Sequence, residues 1–398
     1  MRYIEIFHRE ELAKRLAAQL MSEDGASGLF ITGPRRTGKS TFIREDLIPV
    51  LGGVYATQVV YADLWEDRAA NPGDVIAAAI RAELLKFSGF ILKAAKGVGL
   101  DKIKVGGLEM SLDHIGIGKG ETLTKALTML SAASKKPISL IIDEAQHTQA
   151  TEEGRQALYA LKAARDAMNS STGRGFRLLA TGSSSDKLTS LVEDKDQAFY
   201  QAPLMPLPTL DIGYVKWFRD RQGFEPKPSL DAMFRAFVGC NHRPEPLRAV
   251  FRELNLKTGV GPQEIDQLFS EMVAASLKRA KENFLQQVNG LNPLDVAVLK
   301  VMARDEKSFA PYSKDSVADY KAFVMVATGD VLGDGLDDVN PSSVQQALER
   351  LRAEKFVWRA GRGAYLIEDT QHAIWIKDVI SEEAAKFRSA RKLINARI

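Results

Sequence analysis

The sequence feature that most constrains this chain is the octapeptide from Gly33 to Ser40, which reads Gly-Pro-Arg-Arg-Thr-Gly-Lys-Ser. It fits the pattern G-x-x-x-x-G-K-[ST], with an apolar segment before it (residues 28–32) and a helical pattern after it. In that context the glycines let backbone N–H groups curl around an anion, and the positive end of the helix dipole faces the same point. The pattern therefore predicts a loop that binds nucleotide phosphates.

Two residues of this loop have specific expected tasks. The Lys39 ammonium is expected to reach the β- and γ-phosphates, and the Ser40 hydroxyl is expected to hold Mg²⁺. The predicted nucleotide contacts comprise the whole loop and the residue after it: Gly33, Pro34, Arg35, Arg36, Thr37, Gly38, Lys39, Ser40 and Thr41.

A second segment carries adjacent carboxylates. The apolar run at residues 138–142 reads as a buried strand, and Asp143 and Glu144 follow it directly. Parallel sheets hold ligands at the carboxyl ends of their strands. We expect Asp143 to bind Mg²⁺ through its water shell and Glu144 to polarise the water that attacks the terminal phosphate. The alternative is that these acids simply occupy the turn after a strand.

A further buried strand, over residues 176–184, ends in small hydroxyl residues. One interpretation places Thr181 or Ser183 between the two carboxylates and the γ-phosphate, where the hydroxyl would orient the water. The other interpretation is a serine-rich loop between a strand and a helix. Both stay open on the sequence.

Composition limits the other possibilities. A chain of 398 residues with a formal charge of +3 is too long for one core, and it carries no global field that would steer it onto nucleic acid. Cys240 is the one cysteine, so no intrachain disulfide forms and a reducing compartment is expected; the five histidines lack metal-ligand spacing. No apolar run approaches the ~20 residues of a membrane span, and the first residues lack a signal-peptide pattern. The expected location is cytoplasmic, without a membrane partner.

The pattern along the chain predicts four parts: a core over residues 1–208 with a glycine-rich, hairpin-like insertion at about 88–120, a helical region over 209–290, a winged helix over 291–370 and a basic tail over 371–398.

The winged helix is predicted from three helices followed by a short hairpin. Its third helix would enter the major groove of double-stranded DNA. The candidate contacts are Ser342, Ser343, Gln345, Gln346 and Arg350 on that helix, with Arg359 and Arg362 on the hairpin. Acids and bases are equal in number over 291–398, which favours DNA binding only if the charges segregate, and such a module can equally dock a protein.

The order of parts resembles the AAA+-like and STAND-like P-loop ATPases, in particular the archaeal-type ATPase family related to origin-recognition proteins. The segments that carry the resemblance are residues 7–12, 33–40, 140–144 and 179–184, together with 239–244 in a helical lid and the terminal winged helix. The resemblance implies an α/β fold with a parallel sheet in AAA+ order, a small helical lid, ATP with Mg²⁺, and slow hydrolysis coupled to a conformational change. It also implies that Arg9 lies in a segment beside the adenine and that Arg243 reaches back to the phosphates.

One departure from this family affects the expected mechanism. The family usually places an arginine on the helix after the 179–184 segment, where it completes a neighbouring subunit's site, but residues 184–202 contain no arginine. Either Arg165 or Arg174 substitutes, a partner supplies the group, or turnover is weak. This favours a switch over a hexameric motor, because such an arginine contributes roughly 10³–10⁵ in rate.

Three functions follow from these expectations. The first is an ATP-dependent switch that acts on DNA through the winged helix. The second is a STAND-like signalling or defence ATPase whose winged helix docks a protein partner, and the third is a nucleotide-binding scaffold without catalysis. ATP or ADP is the expected small-molecule partner in each, and a homo-oligomer is open.

Overall fold

The structure is a computed structural model. It describes residues 5–67, 70–88, 102–105, 108–111, 115–116, 122–170, 175–183, 185–257, 259–329, 336, 338–361 and 364–397. Contacts between Cα atoms divide the chain into two units, Met1–Trp217 and Phe218–Ile398. No helix among the described residues combines the length and the apolar character needed to cross a membrane.

The first unit is built on a parallel sheet. Five of the described strands form it: β1 Leu29–Thr32, β2 Gln58–Asp63, β5 Ile138–Asp143, β6 Phe176–Gly182 and β7 Leu204–Pro206. Their order across the sheet is β2-β5-β6-β1-β7. A fully buried apolar run such as β5 is what a strand covered on both faces requires. The strand β1, which precedes the predicted phosphate loop (Gly33–Ser40), thus lies between β6 and β7. This strand order is that of an α/β P-loop NTPase of the AAA+ type, and it confirms the predicted fold class.

Helices cover both faces of this sheet. They are α1 Glu10–Met21, α2 Lys39–Phe42, α3 Ile48–Gly53, α4 Pro72–Ser88, α5 Leu123–Ser134, α6 Glu152–Ser170 and α7 Ser185–Glu193. Alternate residues of β5 enter different cores: Leu140 and Ile142 pack with α4, α5 and α6, whereas Ile141 packs with α1 and the helix after the loop. The predicted insertion contains a hairpin, β3 Lys102–Val105 and β4 Leu108–Ser111, and the rest of residues 89–121 lies largely outside the described part of the chain.

Between α2 and α3 the helix makes one π turn, Ile43–Leu47. The turn presents Asp46, which is 4 % exposed, to the chain ahead of α1. Its carboxylate accepts a hydrogen bond from the backbone N–H of Arg9 at 3.0 Å, and its Oδ1 lies 2.7 Å from Nδ1 of His8. The segment before α1 is therefore tied to the helix that follows the phosphate loop.

The helix α8 Ile212–Asp220 spans the division between the units, and the described part of the second unit is otherwise helical with one hairpin. Its elements are α9 Leu230–Gly239, α10 Pro244–Leu254, α11 Ile265–Asn289, α12 Pro293–Asp305, α13 Lys314–Thr328, α14 Pro341–Ala353, β8 Val357–Gly361, β9 Ala364–Ile367 and α15 Thr370–Arg397. The long helix α11 is continuous, because no glycine or proline interrupts it. The first hairpin strand begins at Val357, two residues after Lys355, whose φ is +62°. The four-part division of the chain stays a prediction.

Candidate phosphate site at the edge of the parallel sheet

The loop from Gly33 to Ser40 is held by one hydrogen bond within it and one to β6. The Thr37 hydroxyl donates to the carbonyl of Pro34 at 2.7 Å, and the backbone N–H of Gly33 donates to the carbonyl of Gly182 on β6 at 3.1 Å. Gly38 has φ +85°, a backbone angle that glycine adopts without strain, and α2 begins at the next residue. The sequence therefore folds the loop against the carboxyl ends of β1 and β6, where the pattern predicted it.

Lys39 and Glu144 form an ion pair at this edge. Lys39 Nζ lies 2.8 Å from Glu144 Oε1, and the two side chains are 5 % and 13 % exposed. Burial by itself would raise the pKa of Glu144, but the Lys39 ammonium and the hydrogen bonds to the carboxylate outweigh it and lower the pKa to about 2. In this pairing with Lys39 the carboxylate is therefore ionised at neutral pH.

The second oxygen of Glu144 has its own partners. The Ser183 hydroxyl donates to Oε2 at 2.8 Å and the Ser183 backbone N–H donates at 3.2 Å, while the Gln146 side-chain amide also donates to it. Glu144 has φ +58°, in the left-handed region that is uncommon for a residue with a side chain. The turn after β5 thus directs this carboxylate toward Lys39 and Ser183 rather than along the strand.

Asp143 is fully buried and held by three donors. The Tyr61 hydroxyl donates to Oδ2 at 2.9 Å, the Glu144 backbone N–H donates to Oδ1 at 3.1 Å, and the Thr181 hydroxyl also donates to Oδ1. Burial first, and then the Asp143 charge, raise the pKa of Tyr61, so its proton stays on the hydroxyl. Thr181 thus bonds to Asp143 and Ser183 to Glu144, and the orientation of a water by either hydroxyl stays a prediction.

A second carboxylate lies beside Asp143. Asp63, at the end of β2, is its register partner across the sheet and forms an ion pair with Arg44 at 2.7 Å. Burial, followed by the charge of Asp143, raises the pKa of Asp63. Tyr61, Asp63 and Gln146 were missed by the sequence reasoning. The signal for the first two was the apolar strand over 59–64, whose end aligns with Asp143 once β2 and β5 are known to be neighbours.

The remaining predicted loop residues differ in their surroundings. Thr37 is buried, Ser40 is half-buried, and Pro34, Arg36 and Thr41 are exposed. Arg35 turns away from the loop: its Nε donates to the Ser183 hydroxyl at 3.1 Å, and its guanidinium lies 4.3 Å from the centre of the Trp65 ring. The loop thus supplies two cationic side chains, Lys39 and Arg35, to the same edge of the sheet.

Arg9 contacts the segment that follows β7 and the helix that follows the phosphate loop. Its Nη2 donates to the carbonyl of Pro208 at 2.7 Å, and its guanidinium lies 5.5 Å from the centre of the Phe42 ring. Burial lowers the pKa of Arg9, and the nearby Asp211 and Asp46 oppose this effect. These contacts place Arg9 between the segment after β7 and the helix after the phosphate loop.

In the second unit, Arg243 forms a salt bridge with Asp369. Its Nη2 lies 2.8 Å from Oδ1, and the side chains are 12 % and 13 % exposed. Burial favours the protonated form of Asp369, but the guanidinium of Arg243 outweighs that effect and holds the pKa of this carboxyl below its ordinary value. The expected contact of Arg243 with nucleotide phosphates stays a prediction.

The predicted DNA-contact residues of α14 make contacts within the second unit. Arg350 binds both oxygens of Asp295, at 2.6 and 2.9 Å, and Asp295 is 2 % exposed. Gln345 bonds to the hydroxyls of Tyr312 and Tyr365, and Ser343 completes the capping box with Asn340. Ser342 and Gln346 are exposed. The side chains of Arg359 and Arg362 lie outside the described part of the structure.

No family model matches the sequence, and no curated protein matches it. Similar solved structures are the Aeropyrum pernix ORC2 protein in its ADP form (12 % identity, 100 % of this chain and 96 % of that chain, TM-score 0.48) and the Aeropyrum pernix ORC1 protein in complex with DNA (13 %, 96 % and 94 %, 0.35). A third is DnaA from Aquifex aeolicus with AMPPCP bound (13 %, 88 % and 90 %, 0.33). The fold assignment rests on the strand order and the loop.

Proposed function

We propose that this chain binds ATP at the Gly33–Ser40 loop and hydrolyses it slowly, as a nucleotide-driven conformational switch. The observation that carries the proposal is the placement of Lys39, Glu144 and Ser183 in one contact network beside Asp143 at the carboxyl edge of the sheet. That edge is where α/β sheets bind ligands. The network joins a phosphate-binding cation, a carboxylate base and an orienting hydroxyl.

The donor set fits Mg²⁺. Among the described residues, no group of three or more His, Cys, Asp and Glu side chains is placed to hold a metal ion. Mg²⁺ needs no such group, because it binds through one or two carboxylates plus substrate phosphates. Ser40 and the buried, oriented Asp143 would hold the ion, and when bound it would supply positive charge that offsets charge on the phosphate oxygens.

In the proposed step, a water oxygen forms a bond to the γ-phosphorus while the bond from that phosphorus to the bridging oxygen breaks. The bonding electron pair leaves with ADP, and Glu144 accepts a proton from the water. The Lys39 ammonium, which pairs with Glu144 in this structure, moves to the phosphates when the nucleotide binds. Ser183 stays as the donor that orients the carboxylate.

Variants at two residues test binding and chemistry separately. Lys39→Met is expected to abolish binding of a fluorescent ATP analogue, whereas Glu144→Gln is expected to bind it and to lose phosphate release. Lys86→Met, at an exposed lysine on α4, is the matched control, and circular dichroism checks that each variant folds. If Lys39→Met binds like the wild type, nucleotide binding at this loop is wrong. If Glu144→Gln releases phosphate at the wild-type rate, the chain is a scaffold or uses another base.

The switch is proposed to act on double-stranded DNA, which the predicted winged helix of the second unit would bind. Asp295 neutralises the charge of Arg350, so other residues would have to contact the DNA phosphates. Candidates are the exposed Arg388 and Lys392, which lie one turn apart on α15. The same neutralisation favours the second candidate, a signalling or defence ATPase that docks a protein through α14. Salt-dependent DNA binding that weakens in Arg388→Gln/Lys392→Gln supports DNA, and no binding at low salt supports the protein partner.

A further inference from the structure

The rate of phosphoryl transfer depends on positive charge at the terminal phosphate, and the sequence lacks the expected arginine after β6. Of the two candidate substitutes, Arg165 does not supply it. Arg165 donates to the carbonyl of Ser27 at 2.9 Å. Ser27 lies just ahead of β1, so this contact is at the amino-terminal ends of the strands, whereas the phosphate loop is at their carboxyl ends. Arg174 lies outside the described residues.

Arg35 reaches the edge where this charge is needed. Its Nε donates to the hydroxyl of Ser183 at 3.1 Å, and that hydroxyl donates to Glu144 Oε2 at 2.8 Å. On the other side of the same carboxylate, Lys39 donates to Oε1 at 2.8 Å. Two cations from one loop therefore flank the proposed base, Lys39 by direct contact and Arg35 through Ser183.

The orientation of Arg35 is fixed by more than one contact. Its guanidinium lies 4.3 Å from the centre of the Trp65 ring, within the range of a cation–π interaction. Trp65 is held in turn by the chain after β2, because its backbone N–H donates to Asp63 Oδ1 at 2.9 Å, and its ring lies 5.1 Å from the centre of the His147 ring. A planar cation held on an aromatic ring loses little conformational entropy when it meets a phosphate.

We propose that Arg35 is a built-in arginine finger, which contacts the γ-phosphate of the nucleoside triphosphate in the chain's own site. The inference rests on the proposed ATPase function. Lys39 would cover the β- and γ-phosphates from the loop side, and Arg35 would cover the γ-phosphate on the side of Glu144 and Ser183. Arg35 gives up no proton and forms no covalent bond. It stabilises the charge that develops while the water–phosphorus bond forms and the bond to the leaving ADP breaks.

The first test compares single-turnover hydrolysis with nucleotide affinity. Arg35→Ala is expected to lower the hydrolysis rate by a factor on the order of 10²–10³ while it changes the Kd for ADP by less than about threefold, since ADP lacks the γ-phosphate. Arg35→Lys keeps the charge without the planar group and should recover only part of the rate. Arg15→Ala, at an exposed arginine on α1, is the matched control and should hydrolyse like the wild type.

The second test uses the transition-state mimic ADP–aluminium fluoride. The wild type is expected to bind it much more tightly than ADP, and Arg35→Ala should lose that preference, which a change confined to folding would not produce. An Arg35→Ala variant with the wild-type rate and preference overturns the inference while leaving the ATPase intact. A wild type without any hydrolysis overturns the proposed function instead. Specific activity that rises with protein concentration and falls in Arg165→Gln assigns the finger to a neighbouring copy and also overturns the inference.

Discussion

Lys39 and Glu144 neutralise each other across the edge of the sheet, with Nζ and Oε1 2.8 Å apart and both side chains largely buried. The cation that the sequence predicted for phosphates and the carboxylate that it predicted for water are therefore partners. A phosphate group that binds here has to compete with Glu144 for the ammonium. In the proposed function, this competition would set how tightly the ligand-free protein binds a nucleotide.

Glu144→Gln is expected to tighten nucleotide binding. The amide keeps the shape of the side chain but removes the charge that holds Lys39, so the ammonium becomes available to the phosphates. We expect the Kd for ADP to fall on the order of tenfold, which corresponds to about 1.4 kcal/mol. Isothermal titration calorimetry measures it, with Glu153→Gln on the exposed face of α6 as control. An unchanged or weaker affinity in Glu144→Gln would contradict the competition.

The same ion pair predicts an acid-dependent stability. The pKa of Glu144 is lowered from 4.5 to about 2 in the folded protein. A depressed carboxyl pKa stabilises the fold above the unfolded value and loses that effect as the pH falls toward the folded value. The stability advantage of the wild type over Glu144→Gln should therefore shrink between about pH 4.5 and pH 2, by at most about 3 kcal/mol. Urea unfolding of ligand-free protein at several pH values measures this difference, and a constant difference would refute it.

Thr181→Val should weaken the response to Mg²⁺ more than the binding of nucleotide. The Thr181 hydroxyl orients the carboxylate of Asp143, and loss of such a supporting hydrogen bond typically costs about 10–100-fold in metal affinity. We expect the Mg²⁺ concentration for half-maximal hydrolysis to rise about tenfold, with metal-free ADP affinity unchanged. Tyr61→Phe should act in the same direction, and Tyr159→Phe serves as the exposed control. Equal Mg²⁺ dependence in the wild type and Thr181→Val would remove Asp143 from the metal site.

Arg350→Met should destabilise the second unit rather than act on a ligand alone. It leaves the carboxylate of Asp295, which is 2 % exposed, without its cation, and an unpaired buried charge costs about 3–5 kcal/mol. Because the guanidinium of Arg350 is exposed to water, which screens the ion pair, we expect the free energy of unfolding to fall by only about 2 kcal/mol. The double variant Arg350→Met/Asp295→Leu should recover part of it. Chemical denaturation tests this against Arg352→Met, whose pair with Glu349 is more exposed.

Cys240 should react slowly with thiol reagents in the folded protein. Burial raises the pKa of its thiol to about 11, and Arg243 opposes this shift only in part. Because the thiolate is the reactive form, its fraction at pH 8 falls about a hundredfold relative to a thiol with a pKa near 9. Labelling with a chromogenic disulfide at pH 8, before and after unfolding in guanidinium, measures the ratio. Equal rates in both states would contradict the burial of Cys240.

Most of the fold could be predicted because its signals are local. Asn292-Pro293 and Asn340-Pro341 mark the starts of α12 and α14, and the apolar run before Asp143 marks β5. The edge strand β7 was missed, since Pro203 directly before it and Pro206 at its end are typical of a break in the chain, and a proline is compatible only with a sheet edge or end.

The site was predictable in its residue types but not in its contacts. The pattern identified Lys39, Asp143 and Glu144, yet their pairings depend on strand order and on the left-handed turn at Glu144, which no short pattern encodes. Arg35 was predicted as one of many loop contacts, and its stacking on Trp65 joins residues that are thirty positions apart in sequence. Likewise, Arg350 read as a DNA contact because the buried carboxylate of Asp295 lies two helices earlier.

The π turn after the phosphate loop has a consequence for how this protein could be shortened. A regular α-helix closes each turn with one residue fewer, so deleting one position between Ile43 and Leu47 would restore even winding from α2 into α3. The same deletion would rotate Asp46 away from the N–H of Arg9 and release the leading segment. A chain with this deletion would keep a regular helix, but its first residues would lose the hydrogen bond that holds them to that helix.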